Sequence, residues 1–123
     1  MNILSFLLYL GAFLWQAYDT KEYVKHWVNQ AEWHELMKKV AGMMSDMAKV
    51  HGPVIPAFAK MMGVIITFSK VAVRFGMIAY AFKFDASTMA IYNALLAFFL
   101  IGTIILIADI VRGMYILHKK YGV

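Results

Sequence analysis

The chain has 123 residues, of which 63% are hydrophobic and 15% charged, with a net charge of +5 and no cysteine. Soluble domains carry about 25% charged residues, so this composition, with a mean hydropathy of +0.67, reads as one all-α integral membrane domain over residues 1–123 with no room for a separate soluble domain. The lack of cysteine excludes disulfides, iron–sulfur clusters and cysteine-ligated zinc, and the positive charge fits the positive-inside rule and anionic headgroups better than nucleic acid.

Residues 2–18 are apolar and uncharged. They lack the basic start and small-x-small cleavage site of a signal peptide, so a retained first transmembrane helix is expected. Polarity then changes, and a helical section over residues 19–51 should leave the hydrocarbon. Within it Trp33, Leu36, Met37, Val40, Met43, Met44, Met47 and Val50 share one helical face, opposite Glu35, Lys38, Lys39, Ser45, Asp46 and Lys49, which is the pattern of an interfacial amphipathic helix. Tyr23, Val24, Trp27, Val28 and Ala31 point elsewhere on a continuous helix, so a bend is expected near Ala31. Gly52, Pro53 and Pro56 then separate this section from the next. A second transmembrane helix is expected over 57–83 and a third over 87–117, joined by a turn near Asp85 that can cap the third. Residues 89–108 carry no charge, enough for one bilayer crossing of about 20 residues. The fold expected is therefore three transmembrane helices plus an interfacial amphipathic helix between the first and second. Lysine and arginine concentrate at Lys21, Lys25, Lys38, Lys39, Lys49, Lys60, Arg112, Lys119 and Lys120, against Lys83 alone in the opposite turn. That asymmetry places the N-terminus outside and the C-terminus inside.

The sharpest chemical signal lies inside the second helix. At about 100° per residue, Lys60, Gly63, Thr67, Lys70, Arg74 and Ala81 fall within about 80° of one surface. An antiparallel hairpin about Asp85 brings Asp109 level with Lys60 and Gly63, where it could neutralise Lys60 or pair with Arg112 on its own helix. Lys70 and Arg74 then face residues 96–102, which include no acid, and the first segment to Tyr18 supplies none. An intramembrane cation costs about 2.5–3.5 kcal/mol on insertion scales. Three surroundings would relieve it: a carboxylate of another subunit, a wet pore or lipid headgroup, or snorkelling to the interface. Gly63, Gly102, Asp109 and Gly113 mark a seam where helices can approach closely.

Asp19, Glu22 and His26 share a helical face and have the donor types of a transition-metal site, but their spacing matches no established motif and no metal is expected. His51 and His118 lie outside the spanning segments, which argues against a haem pair. Tyr9, Trp15, Tyr18, Tyr23, Trp27 and Trp33 form the pattern of an interfacial aromatic belt. Ser5, Ser45, Ser69 and Ser87 have no histidine and acid at a recognisable spacing, and no phosphate-binding loop is present. These readings point to a non-enzymatic small subunit of a multisubunit membrane complex, such as an energy-converting or oxidising enzyme. Its expected partners are other transmembrane subunits or copies of itself and membrane lipids, with no small-molecule substrate and no cofactor beyond bound phospholipid. The alternative is a homo-oligomeric pore or filament, in general terms holin-like or pilin-like, with Lys60, Lys70 and Arg74 facing a lumen or headgroups.

Overall fold

The computed structural model describes residues 2–122. They form a bundle of four helices: α1 (Ile3–Val28), α2 (Gln30–His51), α3 (Val54–Phe84) and α4 (Met89–Tyr121), with a short 3-10 turn over Ala86–Thr88 before α4. Two of these, α3 and the segment Ala86–Tyr121, are long and apolar enough to cross a membrane, and only 17% of the most apolar stretch of each is buried within the bundle. Their outer faces are thus as apolar as their inner ones, which is the pattern a lipid-facing helix needs and a soluble surface helix avoids.

α1 packs between α3 and α4. As α1 is followed from its start, its partners on α3 fall in number and those on α4 rise. Ser5 Oγ donates to Ala81 O at 2.9 Å and Arg74 pairs with Asp19, while Tyr9 bonds Thr88 at 2.8 Å and His26 meets Asp109 at 3.2 Å. α1 is therefore antiparallel to α3 and parallel to α4. The core between them is Tyr9, Ala12, Ile78, Ala81, Leu95 and Phe99, reinforced by edge-on ring pairs Phe75–Phe99 at 5.6 Å and Phe13–Phe98 at 5.7 Å. At Gly102 an added Cβ would overlap the Gln16 amide nitrogen and lie 3.2 Å from Thr20 Oγ1, so the α1 side chains occupy the space that glycine leaves on α4.

The boundaries differ from those expected in three places. α1 does not stop near Tyr18 but continues unbroken for ten further residues to Val28, carrying Asp19, Lys21, Glu22 and Lys25 within one helix. The break expected near Ala31 comes two residues before it, at Asn29. Asn29 ends α1 and caps α2: its side chain accepts from Glu32 N at 3.2 Å and donates to Glu32 Oε2 at 3.0 Å. Asn29 is thus a side-chain N-cap for α2, while its own backbone N–H closes α1 on Lys25 O at 2.9 Å. α3 starts at Val54, three residues early, because Pro56 is tolerated in a first helical turn where its missing N–H is no loss. Gly52, at φ 90°, makes the turn between α2 and α3.

At the opposite end, Asn2 Oδ1 accepts from Leu4 N at 2.9 Å, and Asn2 N donates to the Asp85 carboxylate at 3.1 Å. Asp85 also accepts from Ser87 N at 3.2 Å. One aspartate thus ties the start of α1 to the turn between α3 and α4. The Ser87 hydroxyl bond, with the Asn2 N–H bond second, holds the Asp85 carboxyl below its ordinary value of 3.8.

Candidate functional site

The cationic stripe divides among three surroundings. Arg74 turns inward, is only 2% exposed, and forms an ion pair with Asp19, whose side chain is 19% exposed. Trp15, one turn before Asp19 on the same face of α1, lies under the guanidinium with its ring centre 5.2 Å from Arg74 Cζ. The expectation that Arg74 requires an acid from outside the chain is thereby corrected. Ending the first helix at Tyr18 had left Asp19 out of it, whereas the longer α1 carries that carboxylate to the level of Arg74. One buried atom of the group, Arg74 Nε, has no hydrogen-bond partner among the described residues.

Lys70, one turn earlier on α3, is exposed and makes no hydrogen bond or ion pair with a described residue. Thr67 donates its hydroxyl to Gly63 O at 2.8 Å, and Ser69 donates to Ile65 O at 2.8 Å. Both side chains close on their own helix. Lys60 and Thr67 line a cleft between α2, α3 and α4.

The hinge between α1 and α2 is held by Arg112 of α4. Its Cζ lies 4.3 Å from the Trp27 ring centre and 3.7 Å from that of Trp33, one ring from each side of the break. The same guanidinium donates to His26 O at 3.4 Å and to the Gln30 side-chain oxygen. A carbonyl left open by the end of α1 is therefore met by a cation, the favoured partner of a helix C-terminus. Asp109, expected level with Lys60 and Gly63, shares a cleft with both, and it takes His26 Nδ1 at 3.2 Å. Trp33 is 2% exposed, so it is a packed wedge under α2 and no part of an interfacial belt.

The cleft has a volume of about 440 Å³. His26, Lys60, Thr67 and Asp109 give it polar groups, and Met37, Val40 and Met44 of α2 give it an apolar wall. Part of the apolar face read for a membrane-interface helix therefore points into the bundle. Leu36 remains exposed and Met47 is half-buried. Gly63 lies on the cleft, but it is not a packing glycine: a Cβ there meets nothing within 4 Å. Nor does Gly113 require glycine, since a Cβ there would make an ordinary contact with Met37 Sδ at 3.6 Å. His26 and Trp33 also border a second hollow of about 200 Å³ on the polar side, shared with Lys25, Glu32, Glu35 and Lys39.

Asp19, Glu22 and His26 do not converge on a metal. Asp19 is engaged by Arg74 and His26 by Asp109, and among the described residues no group of three histidine or carboxylate side chains is placed to hold an ion. The Arg112 clamp and the His26–Asp109 pair were missed by sequence reasoning. The Asn29–Glu32 spacing was the signal that could have placed the hinge, and neither long-range contact follows from it. No family model, curated protein or solved structure matches the chain.

Proposed function

We propose that the chain is a non-catalytic small transmembrane subunit that packs into a larger membrane complex, with α1, α3 and α4 crossing the bilayer, the N-terminus outside and the C-terminus inside. Lys70 carries this reading. It lies near the middle of the 31-residue α3, on an outer face among Ile65, Ile66 and Val73, all exposed. Arg74, one turn away, is neutralised within the chain, whereas Lys70 is left to its surroundings. A carboxylate on a neighbouring subunit at the same depth removes most of the insertion cost of about 2.5–3.5 kcal/mol. Exposed apolar side chains on every long helix supply the rest of the contact surface, by close packing with other helices or with lipid.

The pore or filament reading requires Lys60, Lys70 and Arg74 on one lumen-facing surface. With Arg74 buried against Asp19, only a broken stripe remains, which favours the subunit reading. The test is Lys70→Met in the native membrane, with Lys83→Met as the control. Under this reading Lys70→Met lowers recovery of larger co-purifying chains by about tenfold, as expected for a lost buried ion pair, and removing one partner acid restores it. Unchanged assembly would mean that snorkelling of Lys70 is sufficient and that the subunit reading fails.

A further inference from the structure

Four features of the cleft between α2, α3 and α4 specify a ligand. Its volume of about 440 Å³ falls within the range of about 300–1,000 Å³ typical of small-molecule sites. Glycine is among the poorest helix formers, yet α3 carries Gly63 where no neighbour requires it, since nothing lies within 4 Å of a Cβ there. The space it leaves opens onto the cleft. The charges are mixed, with Lys60 and Asp109 both on the wall, so an anionic head would face a carboxylate and a cationic head an ammonium. A neutral head avoids both penalties.

The fourth feature is the hydrogen-bonding sense of His26 and Thr67. His26 Nδ1 lies 3.2 Å from the Asp109 carboxylate, so Nε2 is the ring nitrogen left to a ligand. Thr67 has already given its proton to Gly63 O, so its oxygen has lone pairs to offer. A ligand hydroxyl supplies the one proton that Thr67 calls for, and its own lone pairs can accept from Lys60.

We infer that this cleft binds a neutral, membrane-soluble amphiphile that donates a hydroxyl proton to Thr67 and rests its apolar body on Met37, Val40 and Met44. Flexible methionines suit a body of variable shape. A diacylglycerol and an isoprenoid quinol share this chemistry. The inference does not depend on the subunit reading, because it concerns a cleft inside one chain.

Photolabelling tests it. The purified protein in phosphatidylcholine vesicles is irradiated with either a diazirine-tagged dioleoylglycerol or an azido-tagged short-chain benzoquinol, and the labelled peptides are sequenced. Saturable labelling within residues 37–44 or 59–67 by one probe is expected, and the probe that labels at lower concentration identifies the source. Gly63→Leu fills the space and should cut labelling by about tenfold or more. Gly76→Leu, on the same helix and also with nothing within 4 Å of its Cβ, should leave it unchanged. Unlabelled phosphatidic acid with the same acyl chains should compete about tenfold less well than dioleoylglycerol, because its phosphate would meet Asp109. Absence of saturable labelling in the cleft with both probes overturns the inference, as does equal competition by phosphatidic acid. Mapping on the unsubstituted protein decides the matter even if Gly63→Leu does not fold, and unchanged labelling in a folded Gly63→Leu protein also overturns it.

Discussion

Replacing Asp19 by asparagine keeps the side chain's shape and one acceptor oxygen but removes its charge from Arg74, which is 2% exposed. The guanidinium cannot move to water without breaking its stacking on Trp15 at 5.2 Å, and its Nε already has no partner among the described residues. Breaking a buried pair from one side costs about 3–5 kcal/mol, whereas replacing both partners with apolar residues of similar volume is often neutral or stabilising. Asp19→Asn should fall near the lower end, about 3 kcal/mol, because its amide oxygen still accepts a bond. That corresponds to about a hundredfold shift in the unfolding equilibrium. Asp19→Leu combined with Arg74→Met should recover most of the loss. Reversible unfolding in mixed micelles, followed by circular dichroism across a denaturant series, measures all three proteins and Arg74→Met alone. A loss below about 1 kcal/mol for Asp19→Asn would be the response of a solvent-exposed pair and would refute the buried arrangement. A double variant no more stable than the single one would refute the charge argument.

Gly102→Ala should destabilise by about 1–3 kcal/mol through overpacking, because the new methyl group overlaps Gln16 and presses on Thr20 Oγ1 at 3.2 Å; adding Gln16→Ala should restore much of it in the same unfolding assay. Arg112→Lys keeps the charge but loses a planar group able to stack on two indoles. It should cost about 1–2 kcal/mol and red-shift tryptophan emission as the hinge loosens, and an unchanged spectrum would count against the clamp. The Asp85 carboxyl is held below 3.8 by bonds that exist only in the fold. Its contribution is therefore complete above the unfolded value, about 3.9, and is lost only as pH falls through the lower folded value. The Asn2 and Ser87 amide resonances should report a midpoint below 3.8, and a midpoint at or above it contradicts the arrangement.

Much of the fold was legible because two signals in the sequence are strong. The uncharged run in α4 and the Gly52–Pro53 break each specify local structure with little help from elsewhere. The end of α1 was not, because hydropathy measures where a chain leaves hydrocarbon and a helix can continue past that point. Asp19 marks the change in polarity yet stays helical to Val28, and on that continuation depends its meeting with Arg74. The stripe itself was readable from spacing, but its division was not. Which of Lys70 and Arg74 turns inward depends on the position of α1, a long-range contact that periodicity along α3 does not encode. His26 and Asp109 are 83 residues apart and meet only because α1 and α4 run parallel. Gly63 and Gly102 look alike in sequence, and only the packing distinguishes an open floor from a space that α1 side chains fill.

We propose above that this chain works as a minor subunit among larger, different ones. Native mass spectrometry of material extracted from its own membrane in a mild detergent tests it most directly, with every co-purifying chain identified. The account predicts a fixed ratio of this chain to larger membrane subunits, one of which carries an acid at the depth of Lys70. A ring or ladder of this chain alone would contradict it.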